Sequence, residues 1–167
     1  QTHLSLEVGG SSASNGLSGF FMSTENEIRP TIRYYPVSQF GPYYSATNAN
    51  IKKTERFGLQ AYQVFSISPQ TTLNTSYSFT QAKSVEGLDA GKHIPGVPTH
   101  VASVALKNRH SNHITSILDF RYQSATYALN DHQNLYGRHG EYAIADFAVT
   151  YTRSGFRGGL RINNLFD

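Results

Sequence analysis

Two groups of side chains in this sequence have the chemistry to hold a flat, anionic ligand. Arg29, Arg33, Tyr34, Tyr35, Phe40, Tyr43 and Tyr44 form its richest aromatic and cationic stretch. Guanidinium groups and aromatic faces suit an anionic chelate, through stacking and cation–π attraction. The second group is His93, His132, Arg138 and His139. Imidazole, like the phenolate of tyrosine, is a competent iron ligand. No fixed spacing of a metal site links these histidines, so neither a resident metal nor a cofactor is expected. Of the seven histidines, His110 and His113 flank a short connection and read as solvated turn residues, while His3 and His100 have no evident role.

Asp119, Asp146, Arg157 and Arg161 resemble a catalytic cluster at first sight. Each alternates with apolar neighbours, which points instead to ion pairs on one face of consecutive strands. Cysteine is absent, and no nucleophile elbow, phosphate loop or zinc-binding helix occurs. The expectation is that the chain is not an enzyme.

The elements that must position these residues are legible from composition and period. Charged residues make up 15% of the 167, against about 25% in ordinary soluble domains. Tyr 11 and Phe 10 stand among abundant Ser, Thr, Asn and Gly, a poor surface for water alone. The net charge of +3 is modest and scattered, which gives nucleic-acid binding no support. No apolar run reaches the ~18 residues of a membrane-spanning helix, a test that says nothing of a barrel.

The dominant period is two. Ile114, Leu118, Phe120 and Tyr122 alternate with Thr115, Asp119 and Arg121; Leu73, Tyr77 and Phe79 alternate with Asn74, Ser76, Ser78 and Thr80. Ala143, Ala145, Phe147, Val149 and Tyr151 repeat the pattern, as do Phe156, Leu160 and Ile162. Side chains of a strand alternate between faces, so each segment is a strand with one apolar and one polar face. Eight strands are predicted, at roughly 2–10, 16–29, 43–67, 71–82, 98–108, 114–128, 141–153 and 156–166. The connections at 11–15, 68–70, 109–112 and 154–155 are short; those at 31–42, 83–97 and 129–140 are long. In an antiparallel meander such strict alternation puts every tight turn at one end and every long loop at the other. Bacterial outer-membrane barrels have this asymmetry, with periplasmic turns and longer extracellular loops.

The fold class is therefore all-β: an antiparallel transmembrane β-barrel meander. Phe79, Leu118, Phe120, Phe147, Val149, Leu160 and Ile162 would face lipid, and the Asn, Ser and Thr set with the charges a wet lumen. The opposite parity would set charges against hydrocarbon, at about 2–4 kcal/mol for an Arg or Lys at mid-membrane. Tyr34, Tyr35, Tyr43, Tyr44, Tyr127 and Tyr136 fall at the long-loop ends, where an interfacial aromatic girdle belongs. Two rivals make distinct predictions. A small, complete eight-stranded outer-membrane barrel, structural or adhesive, requires its first and last strands to pair. A soluble β-sandwich binding module requires a second sheet over the apolar face.

Several stretches resemble motifs of the TonB-dependent receptor family. Arg56-Phe57-Gly58-Leu59-Gln60 is similar to its Arg-x-Gly-x-Glu strand, with Gln60 in place of the usual Glu. Residues 82–91, then Ile94-Pro95-Gly96-Val97-Pro98-Thr99-His100, resemble its loop and Ile-Pro-x-x-Pro return. Asn163-Asn164-Leu165-Phe166-Asp167 resembles the Asn-Leu-Phe-Asp box near the top of the penultimate strand, and Asn26-Glu27-Ile28 a frequent strand-top pattern. The resemblance implies that 1–167 is a C-terminal part of a barrel of about 22 strands, roughly strands 14 to 21. A plug domain and a last strand would then lie outside this sequence. It implies an outer-membrane receptor importing a scarce ligand, foremost an iron–siderophore complex, with haem or cobalamin as further classes. The implied partners are that ligand, outer-membrane lipid, and the TonB complex acting through the plug.

Overall fold

The computed structural model describes residues 2–9, 14–35, 41 and 43–166. Eight strands follow one another along the chain: β1 Thr2–Gly9, β2 Asn15–Tyr35, β3 Tyr43–Ser66, β4 Thr71–Glu86, β5 His100–Arg109, β6 Ile114–Gln123, β7 Tyr142–Arg153 and β8 Phe156–Ile162. They form one antiparallel sheet in sequence order, β1 through β8. Neighbours in sequence are neighbours in space, so short turns close every second connection.

The tight turns are built from the residues that such turns need. Ser68 and Ser111 each accept two backbone N–H bonds on the side-chain hydroxyl, from Gln70 and Thr71 and from His113 and Ile114, at 3.1 to 3.2 Å. Ser154 and Gly155 both have positive φ (46° and 84°), the two-residue turn whose twist matches the flanking strands. His110 and His113 do lie at such a turn, reaching Ser116 Oγ at 2.8 Å and the carbonyl of Thr152 at 3.0 Å.

Register sorts the side chains as the period of two requires. Directly opposed residues share a face, and Phe65, Leu73, Leu106, Leu118, Phe147 and Ile162 form one continuous apolar row across six strands. Three positions along, on the other face, a row runs Tyr62, Ser76, Ser103, Arg121 and Ile144. Two glycines on that polar face make room for aromatics: the ring of Phe20 occupies the space beside Gly58, and that of Tyr62 the space beside Gly16.

Among the described residues nothing covers the apolar face. Leu118, Phe120, Leu160 and Ile162 are 43, 39, 81 and 54% exposed, whereas the buried apolar residues among those described are Ala82, Ile94 and Ala145. At about 25 cal/mol per Å² an uncovered surface of this kind is unfavourable in water and satisfied in hydrocarbon. Among the described residues no second sheet lies against it, as a sandwich would need, and β1 and β8 do not pair, as a small closed barrel would need.

Element limits differ from the sequence-based ones at the long-loop end. β2 continues past the expected 29 to Tyr35, because it pairs throughout that stretch with β3, which starts at Tyr43 as expected. β4 runs on to Glu86, held by β3 on one side. On its other side the returning loop pairs with it, Ser84 N–H to Lys92 O and Ile94 N–H to Ala82 O, both 3.0 Å. β6 stops at Gln123 rather than 128, since Thr126 pairs with His139 of its own loop. The short connection expected at 11–15 falls largely outside the described residues.

Candidate ligand-capture end of the sheet

Three arrangements stand at the long-loop end, each set by a different local device. The first is a two-stranded ribbon. β4 leaves β3 at Lys53↔Glu86, while β2 and β3 stay paired from Glu27↔Ile51 to Tyr35↔Tyr43. At about 3.3 Å per residue this ribbon rises roughly 26 Å beyond the shared sheet. It carries six of the sequence-selected residues at defined register positions: Arg29↔Ala49, Arg33↔Ser45, Tyr34↔Tyr44 and Tyr35↔Tyr43. Phe40, the seventh, lies outside the described residues.

An ion pair anchors the base of this ribbon. Arg56 Nη2 meets both carboxylate oxygens of Glu27 at 2.8 and 3.0 Å, and Thr54 Oγ1 donates to Glu27 at 2.6 Å. Thr54 is completely buried. Strict alternation would put Glu27 on the face opposite Arg56, since Met22 is the residue that opposes Arg56. Asn26, between them, has a φ of 56°, which breaks the alternation and turns Glu27 to the Arg56 side. Asparagine tolerates this left-handed conformation better than a branched residue would.

The second arrangement is a clasp between the β4–β5 and β6–β7 loops. Asn134, at φ 53°, accepts the His93 N–H at 2.6 Å and donates to the His93 carbonyl at 3.0 Å. Asp131 receives the N–H groups of Leu135 and Tyr136 at 2.8 and 3.0 Å and so fixes the turn that presents Asn134. The rings of His93 and Tyr127 lie 6.1 Å apart, with the Arg138 guanidinium 5.0 Å above Tyr127. Partial burial, then the nearby Arg138 and Lys83, hold His93 below the ordinary imidazole pKa. Of the sequence-selected residues, His93 and Arg138 therefore come together. His132 instead lines a cavity of about 760 Å³, with Lys52, Glu86, Asp89, Asp131 and Tyr136. His139 points back to its own loop, Nδ1 to the Gly137 carbonyl at 3.2 Å. Among the described residues no group of three or more His, Asp or Glu is placed to hold a metal ion.

The third arrangement lies lower, on the polar face. Asp146 meets Arg121 at 2.6 Å and Arg161 at 3.2 Å and accepts the Asn164 N–H at 3.0 Å; Arg121 also meets Asp119 at 3.0 Å. Asp119, Asp146 and Arg161 thus pair as the sequence suggests, whereas Arg157 enters none of these contacts. The network ties down the terminal Asn163–Phe166 stretch, where Leu165 N–H also bonds Ala145 O at 2.8 Å. Nothing in it combines a nucleophile with a base.

A family model described as TonB dependent receptor-like, beta-barrel matches residues 4–165. The chain belongs to that family. It is a family of outer-membrane transport receptors rather than of enzymes. A solved structure of the ferric enterobactin receptor of Pseudomonas aeruginosa, a point mutant, aligns with this receptor segment at a TM-score of 0.73 and 17% identity. The alignment covers 99% of this chain and 25% of that one, so the segment spans about a quarter of the neighbour's length. No curated protein sequence matches. The stretches that carried the resemblance hold defined positions in this fold: Arg56 anchors the ribbon, Ile94-Pro95 is the buried return onto β4, and Asn164 caps the charge network.

Sequence reasoning did not single out Thr54 or Asn134, gave Glu27 only a place in a strand-top pattern, and of the cavity's residues selected His132 as a candidate ligand contact but not Lys52, Glu86 or Asp89. Of these, the Asn26-Glu27 pair carried a signal, since an asparagine inside a strand marks a departure from extended geometry. The role of His100, left open by the sequence, is a 2.8 Å contact of Nδ1 with the Tyr77 hydroxyl on the apolar side of the sheet.

Proposed function

We propose that this chain is part of the barrel wall of an outer-membrane receptor and transporter that captures a scarce ligand at its long-loop end. A ferric siderophore is the ligand class we favour; haem and cobalamin are the other classes of the family. The observation that carries this reading is the β2–β3 ribbon, which lifts Arg29, Arg33, Tyr34, Tyr35, Tyr43 and Tyr44 together beyond the sheet. Cations and aromatic rings on one stiff arm suit an anionic chelate. His93, Arg138 and the cavity beside His132 and Tyr136 lie on the neighbouring loops and would complete the receiving surface. Transport requires a plug and contact with the TonB complex, both assigned to parts of the protein outside these residues. The likeness of fold to a ferric enterobactin receptor supports the siderophore class.

The test replaces Arg29, Arg33, Tyr34 and Tyr35 together by Ala in the intact receptor and measures ferric-siderophore affinity by fluorescence quenching. A loss of at least tenfold is expected. Unchanged affinity would remove the ribbon from the site, and tighter binding of haem or cobalamin by the unaltered receptor would reassign the ligand.

A further inference from the structure

Below the Asp146 network, toward the tight turns, every charge on the polar face of β3 to β8 is positive. Register gives the rows. Asp119↔Asp146 is the last row that holds a carboxylate, and Arg121 and Arg161 pair with it. Beneath it run Lys107↔Ile117↔Ala148↔Arg161, then Arg109↔Thr115↔Thr150↔Gly159, then Thr152↔Arg157. Residues 62–75, 105–117 and 147–161, which form the tight-turn ends of these strands, contain no Asp or Glu.

Lys107, Arg109 and Arg157 are all exposed, and among the described ion pairs none of them meets a carboxylate. Elsewhere the sheet neutralises its cations, Arg56 with Glu27 and Arg161 with Asp146. Unbalanced like charges repel one another and work against the folded sheet, so a partner for these three must come from outside it. Lys107 and Arg109 stand about 7 Å apart along β5, and Arg157 faces them across three strands, about 14 Å away. Between them lies a floor of small side chains, with the hydroxyls of Thr115, Thr150 and Thr152. A Cβ at Gly159 would come within 2.8 Å of the Val149 carbonyl oxygen, so the backbone itself keeps this floor low. Hydroxyls below and cations on two sides are the groups that a small polyanion takes as partners. Arg and Lys side chains line anion-passing pores for the same reason.

We propose that Lys107, Arg109 and Arg157 form a binding site for a small polyanion at the tight-turn mouth of the barrel, where the transported ligand is held on its way out. The site lies on the face opposite the apolar row, so its occupant comes through the lumen and not from the bilayer. The proposal rests on the functional reading above for the anionic ligand and for its direction of travel.

Inorganic pyrophosphate is titrated into the intact receptor in detergent by calorimetry, with Arg29→Gln and Arg33→Gln in place so that the ribbon cations cannot contribute. One binding event is expected. Adding Lys107→Gln, Arg109→Gln and Arg157→Gln should weaken it roughly tenfold or more. Arg153→Gln removes one charge at the same end but on the apolar face, opposite Phe156, and should leave it unchanged. Should the triple variant not fold, Arg109→Gln alone should still weaken binding about threefold. No binding, equal binding in the triple variant, or an equal loss in Arg153→Gln would overturn the site. An acidic segment of the plug already seated there would give the first of these outcomes.

The second arm measures cellular uptake of whichever chelate the receptor with its ribbon intact binds in the test above. The triple variant should keep the affinity at the cell surface and slow uptake severalfold. Unchanged uptake would overturn the exit role. A receptor that binds none of the chelates would sink the functional reading instead, while the pyrophosphate titration still reads the rim.

Discussion

The ribbon and the clasp stand at the same end of one sheet and are held in opposite ways. The β2–β3 ribbon is regular secondary structure, and its described side-chain anchor lies at its base, where Glu27, Thr54 and Arg56 meet. The clasp between the β4–β5 and β6–β7 loops has little regular structure, yet Asn134, Asp131 and the Tyr127 ring cross-brace it along its length. A ribbon anchored at one end can swing as a unit, with its internal ladder intact. A cross-braced loop pair must break several hydrogen bonds before it moves. Regularity of backbone and resistance to motion are therefore separate properties here, and a receptor that first captures and then encloses a ligand has use for both.

Removing the anchor should separate the two most strongly. Arg56→Ala deletes the bidentate contact to a Glu27 side chain that is only 20% exposed. Breaking a fully buried pair costs about 3–5 kcal/mol, and this partly exposed one about 2–3 kcal/mol. Faster amide exchange is expected from Glu27 to Tyr35 in the intact receptor, with the clasp amides unchanged. Equal acceleration in both regions would mean that the ribbon has no hinge of its own.

The converse variant, Asn134→Ala, removes both side-chain bonds to the His93 backbone and leaves a non-glycine residue at φ 53°. Two hydrogen bonds at about 1 kcal/mol each, with some strain in addition, predict a loss near 2 kcal/mol confined to the clasp. Asn134→Gly relieves the strain and should be milder. Amide exchange at 91–94 and 131–136 measures it, with the ribbon as internal reference.

These devices differ in how far the sequence revealed them. The strands were legible because an apolar residue every second position leaves one reading, and the row from Phe65 to Ile162 follows from it. The alternation of short and long connections places Arg29 through Tyr44, His93, and His132 through His139 at one end without any knowledge of register. The limits of β2 and β4 were not legible, because pairing partners rather than local propensity carry them to Tyr35 and Glu86. Nor was the Glu27–Arg56 pair, which depends on one left-handed residue reversing the alternation on which the strand assignments relied. The clasp was hidden for another reason: Asn134 acts on a residue of a different loop, and such contacts leave no periodic trace.

The smallest effect expected is one of pH, and it acts on the clasp alone. Burial, then Arg138 and Lys83, lower the His93 pKa, so the docked loop favours the neutral ring. The undocked loop, with a histidine nearer the usual value of about 6.5, binds more protons below that pH. Docking is therefore fully stabilised above about pH 6.5 and weakens as pH falls through the lowered pKa. Protonation would set a third positive charge beside Arg138 and Lys83, which gives the physical reason for the sign. Amide exchange at Lys92–Ile94 should accelerate between pH 7.5 and pH 5, after correction for intrinsic rates, while residues 27–35, which contain no histidine, hold steady. His132 and His139 share the β6–β7 loop, so His93→Gln isolates the cause. If that variant keeps the full pH response, the response belongs to one of the other two rings, and the clasp is not what His93 controls.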